Sequence, residues 1–105
     1  MLSIIWTDLA IEDTLQNIEY LEREWTEKEV QRFINKTDEV LEKLAKGNIK
    51  FKPTEYKNTF QVPIVKQITL FYEKDEDCII LLRFWNTYQN PEKFILDVIF
   101  EKLEL

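Results

Sequence analysis

The feature that most constrains this chain is the apolar run CIILLRFW, which covers Cys78–Trp85. Such a nearly continuous apolar stretch is typical of a central strand that is covered on both faces of a sheet. The charged stretch KDED precedes it and predicts a turn after the strand KQITLFYEK. In that strand Ile68, Leu70 and Tyr72 alternate with their neighbours, which predicts that these three share one sheet face.

A third strand is predicted for TFQVPI, the segment that begins at Thr59. Pro63 has no backbone N–H, so we expect this strand to lie at a sheet edge or to end at that residue. The simplest arrangement joins the three strands in sequence order as an antiparallel meander. Upstream, NIKFKPTEYKN contains Pro53 and predicts a connection rather than an interior strand.

The N-terminal third predicts a strand followed by a helix. LSIIW, Leu2–Trp6, is short, apolar and β-branched, as in a strand, and Thr7 or Asp8 follows as a helix cap. Apolar residues spaced three or four apart then predict the inward face of the helix: Ile11, Leu15, Ile18, Leu21 and Trp25. The acidic residues are predicted to occupy the other faces: Glu12, Asp13, Glu19 and Glu22.

A second helix follows at once. TEKE, Thr26–Glu29, has the spacing of a capping box, and Gly47, the only glycine, is the expected helix-ending residue. The apolar stripe between them consists of Val30, Phe33, Thr37, Val40 or Leu41, and Leu44. Two amphipathic helices joined so tightly are expected to form an antiparallel hairpin with Trp25 near the bend.

The C-terminal segment predicts a short helix, with Asn90 as its cap and Pro91 in its first turn; a strand over FILDVIF is the alternative. The segment is too apolar for a free surface helix, so we expect it to pack on its own sheet, to dimerise or to bind a partner. Its candidate partner-binding residues are Phe94, Ile95, Val98, Ile99 and Leu103.

Together these elements predict one α+β domain over residues 1–105, a length that suits a single core. The expected fold has an N-terminal strand, a two-helix antiparallel hairpin packed on an antiparallel β-sheet meander, and a short C-terminal helix. The single Cys78 favours a reducing compartment, and no apolar stretch is long enough to span a membrane, so we expect a cytoplasmic protein.

The chain contains no histidine, which excludes Ser-His-Asp and Cys-His catalysis and histidine metal ligands. We expect no metal and no cofactor. A metal site made of carboxylates alone stays formally open, but most acidic residues fall on predicted helix surfaces. The net charge of −6 argues against non-specific nucleic-acid binding. Residues 43–66 are nevertheless locally basic, with six lysines and one glutamate, although such a segment is most often a solvated loop.

The ordered motifs resemble the RelE/ParE superfamily of bacterial type II toxins, which includes proteins often labelled plasmid stabilisation proteins. The likeness covers about residues 2 to 94 through IIWTDLAIEDTLQNIEYLEREW, FINKTDEVLEKLAKG, VPIVKQITLFYEK and CIILLRFWNTYQNPEKF. The resemblance implies a small α+β domain with a helical hairpin against an antiparallel sheet. It also implies a cognate antitoxin that wraps the toxin and neutralises it.

Two modes of action follow from the resemblance. ParE-like members inhibit DNA gyrase by binding, and RelE-like members cleave messenger RNA on the ribosome without a metal. RNA-cleaving members commonly carry arginines at the positions that are here Thr69 and Tyr88. The turn after the last strand, Asn86–Asn90, is therefore neutral where the likeness predicts charge. We consequently favour a ParE-like toxin that acts by binding a protein target.

Two alternatives remain open. The first is a metal-independent endoribonuclease, which needs a base, an acid and cations near the phosphate. Its catalytic candidates are Lys66, Arg83 and Tyr88. The candidates for nucleic-acid or target binding are Lys50, Lys52 and Lys57. The second alternative is a degenerate family member that acts only as an interaction module. For any of these we expect an antitoxin to cover the C-terminal segment and the helical hairpin, or a second copy to do so when the antitoxin is absent.

Overall fold

The computed structural model describes residues 1–47 and 49–89. In chain order its elements are β1 (Ser3–Trp6), α1 (Asp8–Glu24), α2 (Glu27–Lys46), β2 (Lys52–Pro53), β3 (Thr59–Val65), β4 (Ile68–Lys74) and β5 (Cys78–Asn86). The α+β fold, with two helices packed on a sheet, is confirmed. The predicted C-terminal helix and its five partner-binding candidates lie outside the described residues.

The sheet has five strands in the order β1-β5-β4-β3-β2. The antiparallel meander of β3, β4 and β5 is confirmed. The sheet as a whole is mixed, because β1 adds to β5 in parallel, with Ser3 opposite Cys78 and Trp6 opposite Leu81. This parallel pair makes β5 an interior strand between β1 and β4.

The prediction that CIILLRFW is buried on both faces is confirmed. Leu81 and Phe84 lie opposite Tyr72 and Leu70 and join the core under the helices. Trp85 points to the other face and is also buried. A register shift between Phe71 and Tyr72 of β4 leaves one extra residue in β5, which is a β-bulge.

Pro53 and Pro63 lie at sheet edges. Pro53, predicted to fall in a connection, instead ends the two-residue strand β2, which forms one edge of the sheet. β2 pairs only with Phe60 and Gln61, so Pro63 lies in a part of β3 whose outer side β2 does not cover. The β3–β4 register also shifts between Pro63 and Val65. Edge positions tolerate proline because no neighbouring strand there needs its N–H.

The second helix follows its sequence pattern, and its predicted stripe is buried at Val30, Phe33, Thr37, Val40 and Leu44. Gly47 ends the helix in the left-handed conformation, with φ of 74°. The prediction of a capping box is wrong. The Thr26 side chain makes no capping hydrogen bond, and the Glu29 N–H donates instead to the Thr26 backbone oxygen at 3.0 Å. Neither helix among residues 1–47 and 49–89 is apolar enough over sufficient length to cross a membrane.

The inward face of α1 differs from the prediction. Ile11 and Leu15, expected in the core, are 46% and 64% exposed, whereas Asp13, expected on another face, is buried. The buried face of the helix consists of Ala10, Asp13, Asn17, Tyr20 and Leu21. The physical reason is that α1 packs beside the end of β5, where backbone polar groups need partners, and this contact produces the candidate site.

Candidate functional site

The site begins where β5 extends beyond its parallel neighbour. β1 ends at Trp6, opposite Leu81, whereas β5 continues to Asn86. Thr7 joins the two elements: its Oγ1 accepts from the Ala10 N–H at 3.1 Å and donates to the Leu81 carbonyl at 2.8 Å. The first turn of α1 is therefore fixed to the strand at the point where strand pairing stops.

Two polar side chains of α1 satisfy the uncovered edge of β5. Asp13 Oδ2 accepts from the Phe84 N–H at 3.0 Å, and Asn17 Nδ2 donates to the Phe84 carbonyl at 2.9 Å. Residues four apart lie on the same side of a helix, so this pair can bond both backbone groups of one strand residue. If the Phe84 N–H and carbonyl were buried without hydrogen-bond partners, the folded state would be less stable.

Asp13 also holds Arg83. Arg83 Nε lies 2.7 Å from Asp13 Oδ2 and Nη2 lies 2.9 Å from Oδ1, a bidentate ion pair whose side chains are 13% and 9% exposed. The guanidinium carbon lies 5.3 Å from the centroid of the Trp85 ring. The positive charge of Arg83 is therefore compensated within the protein.

The turn after β5 is held by an amide rather than by charges. Asn86 Nδ2 donates to Asn17 Oδ1 at 3.1 Å, and Asn86 Oδ1 accepts from the N–H groups of Tyr88 and Gln89 at 3.0 and 2.9 Å. The Thr87 N–H bonds to the Gln67 carbonyl at 2.9 Å. Amides can donate and accept at once, which explains why this junction needs no ionised residue.

A cluster of Trp25, Lys66 and Tyr88, hereafter the aromatic cluster, lies at the helix bend. Lys66 Nζ is 4.5 Å from the Trp25 ring centroid, and the Tyr88 ring is 5.9 Å from it at an angle of 57°. Trp25 Nε1 donates to the Tyr20 hydroxyl at 3.1 Å, which fixes the indole. Two of the predicted catalytic candidates, Lys66 and Tyr88, thus converge on a tryptophan that was predicted only to lie near the bend.

A polar cleft of about 200 Å³ opens beside the contact between α1 and the end of β5. It is lined by Asp13, Gln16, Asn17, Arg83, Phe84, Trp85, Asn86 and Gln89. The amides of Asn17 and Asn86 and the guanidinium of Arg83 in this lining are bonded within the protein. Among residues 1–47 and 49–89, no group of three Cys, Asp or Glu side chains is placed to hold a metal ion.

The lysines predicted to assist binding lie elsewhere. Lys57 precedes Asn58, whose carbonyl accepts from Lys74 at the end of β4, and Lys50 lines a small cavity with Lys74. Lys66 instead precedes the start of β4. The length of this seven-residue strand, roughly 20 Å, therefore separates Lys66 from Lys74. Lys52 lies on the edge strand β2. Lys50, Lys52 and Lys57 therefore do not converge with Lys66, Arg83 and Tyr88.

The sequence did not predict that three polar residues belong to the site: Asp13, Asn17 and Asn86. The available signal was the spacing of Asp13 and Asn17 on the side of α1 that also carries Ala10 and Leu21. Nothing in the sequence alone pairs them with a particular strand residue.

Comparisons with protein families and with solved structures point to the same group of toxins. The family model for the ParE toxin of the type II toxin–antitoxin system parDE matches residues 4–91. None of the curated proteins matches the chain. A structure of a chromosomal ParDE toxin–antitoxin system from P. aeruginosa is similar, with a TM-score of 0.66 and 15% identity over 82% of this chain and 96% of that one.

Two further solved structures share the fold. A copper-bound mutant toxin from Helicobacter pylori has a TM-score of 0.61 and 18% identity, covering 86% of this chain and 99% of that one. The YoeB dimer from Staphylococcus aureus has a TM-score of 0.56 and 16% identity, covering 79% of this chain and 93% of that one. At such identities the likeness concerns the fold.

Proposed function

Because the chain belongs to the ParE toxins of type II toxin–antitoxin systems, we propose that it arrests growth by binding a protein target such as DNA gyrase. In this proposal the protein does not cleave RNA. The observation that carries it is the bidentate ion pair between Arg83 and Asp13, which compensates the charge of one of the three catalytic candidates.

Cleavage of RNA through the 2′-hydroxyl needs a base, an acid and a cation that faces the phosphate. The family positions that supply arginines to this reaction are occupied by Thr69 and Tyr88. Arg83 is compensated by Asp13, and Lys66 lies over the Trp25 ring. These contacts support a binding function over endoribonuclease activity.

The aromatic cluster is the proposed contact with the target. Tryptophan and tyrosine dominate the binding energy of many protein interfaces, because each buries a large rigid ring and offers a polar group at its end. Tyr88 is half-exposed and Lys66 is exposed, so both are available to a partner. The polar cleft beside the cluster extends this surface along the end of β5.

The proposed partner in the resting cell is a cognate antitoxin, and the proposed location is the cytoplasm. The similar P. aeruginosa structure is of a ParDE toxin–antitoxin system, which supports an antitoxin for this chain. The similar YoeB structure is a dimer, which supports a second copy as a partner when the antitoxin is absent. The contribution of residues 94–103 to either contact stays a prediction.

Induction of the gene, with sequencing of RNA ends and measurement of DNA supercoiling, tests this function. We expect growth arrest with intact transcripts, and inhibition of purified gyrase by the purified protein. Tyr88→Ala is expected to weaken inhibition about tenfold, whereas Lys57→Ala at the opposite end of the sheet is the matched control. Cleaved transcripts that disappear in Lys66→Ala and Tyr88→Phe would establish the endoribonuclease instead, and an absence of arrest would leave the interaction module.

A further inference from the structure

A second apolar layer lies on the side of the sheet that faces away from the helices. Phe71 alternates with Leu70 and Tyr72, which belong to the core under the helices. Trp85 pairs with Thr69 across the strands, on the same side as Phe71. The buried apolar residues of this layer, hereafter the outer face, are Phe71, Leu82 and Trp85, and none of them is part of the core cluster.

The outer face is buried, although neither described helix covers it. Phe71, Trp85 and Leu82 are 3%, 6% and 8% exposed in a single copy of the chain. A sheet face with nothing packed on it is in contact with water, and its side chains are then mostly polar. Three large apolar side chains that are excluded from water therefore require a cover, and this cover belongs to the same polypeptide.

Residues 90–105, which lie outside the described part of the chain, meet the requirements for this cover. They follow directly on Gln89, four residues after Trp85. Their sequence, NPEKFILDVIFEKLEL, has apolar residues three and four positions apart. As the helix that this sequence predicts, residues 91–103 would span about 18 Å, whereas four strands about 4.8 Å apart span about 14 Å. The segment therefore agrees with the outer face in position, length and composition.

We propose that the apolar side of residues 94–103 packs on the outer face within the same chain. Of the three possibilities predicted for this segment, the burial of the outer face selects packing on its own sheet over dimerisation or binding to a partner. The outer face is then closed to other proteins. The inference goes beyond the proposed function and does not depend on it, because it concerns a contact within the protein.

Photo-crosslinking in the full-length protein tests this contact. Gln61 pairs with Phe71 across the strands, so p-benzoylphenylalanine in place of Gln61 is expected to link to residues 90–105 of the same chain. A mixture of unlabelled and nitrogen-15-labelled protein distinguishes links within one chain from links between two copies. The same probe in place of Gln31, at an exposed position of α2, is the matched control and should not link to that segment. Links between differently labelled copies, or no link from position 61 to residues 90–105, would overturn the inference.

The accessibility of a thiol tests the contact in a second way. In a Cys78→Ser background, Thr69→Cys places a single thiol beside Trp85 on the outer face. Ile95→Asp combined with Ile99→Asp should release the segment and raise the alkylation rate of this thiol about tenfold. Lys93→Asp changes the net charge by the same two units on the opposite side of the predicted helix and should change the rate less than about twofold.

Equal alkylation rates with and without the two aspartates would contradict the inference. Neither measurement needs a target or an antitoxin. Protein that behaves as described in both but causes no growth arrest would therefore refute the proposed function and leave this contact intact.

Discussion

Replacing Asp13 by alanine should be among the most damaging substitutions in the polar contact between α1 and β5. The change removes two hydrogen bonds to Arg83, at 2.7 and 2.9 Å, and one from the Phe84 N–H at 3.0 Å. Loss of one partner from a buried ion pair costs about 3–5 kcal/mol. Because the Arg83 side chain retains 13% exposure, we expect the lower end, about 3 kcal/mol.

Equilibrium unfolding in urea measures this loss, and the transition midpoint should fall without a change in slope. In a thermal scan the same loss corresponds to roughly 15 °C for a domain of this size. Asp13→Asn keeps an acceptor for the Phe84 N–H and should lose less. Glu39→Ala is the matched control, since Glu39 pairs with Lys36 and Lys43 on the exposed side of α2, and it should not shift the midpoint measurably.

A double-mutant cycle separates the ion pair from the rest of the change. Asp13→Ala combined with Arg83→Ala should cost less than the two single changes added together, by about 2 kcal/mol. A loss below about 1 kcal/mol for Asp13→Ala, or strict additivity in the cycle, would show that Arg83 finds solvent or another partner. The argument that Arg83 is unavailable for RNA cleavage would then fail.

Three further predictions concern single positions. Gln67 is fully buried, and its side-chain amide has no hydrogen-bond partner among the described residues, so Gln67→Leu should raise the free energy of unfolding by about 1 kcal/mol in urea titrations. Gly47 has φ of 74°, so Gly47→Ala should lower that free energy by about 1 kcal/mol, and an unchanged midpoint would contradict the strain argument. Desolvation raises the pKa of the Cys78 thiol, and the carboxylates of Asp75 and Asp77 add to the effect. Since only the thiolate reacts, the alkylation rate of Cys78 should reach its midpoint at a higher pH than a model thiol measured in parallel.

The parts of the fold that could be predicted from the sequence are those in which apolar residues repeat at regular intervals within one helix or strand. The stripe of α2 from Val30 to Leu44 and the alternation of Ile68, Leu70 and Tyr72 each repeat within one element, and both were confirmed. The partner of β1 could not be predicted in this way. An apolar segment such as Leu2–Trp6 indicates a strand, but its position beside β5 depends on residues at the far end of the described chain.

The α1 helix shows why the spacing of apolar residues alone can predict the wrong buried face. Ile11 and Leu15 have the right spacing for a core face, yet the helix turns Asp13 and Asn17 inward, because the end of β5 presents an N–H and a carbonyl that need partners. For the candidate site, sequence identified Lys66 and Tyr88 but not Trp25 as the residue that joins them. Hydrogen-bond demand at a strand edge is a tertiary property, and no local pattern reports it.

The parallel pairing of β1 with β5 has a consequence for synthesis of the protein. The helical hairpin and the β3–β4 pair contain mainly local contacts and can form as they emerge from the ribosome, whereas Ser3 must wait for Cys78 to be translated. Translation that stops before β5 therefore yields a polypeptide in which Ser3–Trp6 has no strand to pair with and in which apolar residues stay open to proteases. Premature termination is thus expected to produce degraded fragments rather than partly active toxin.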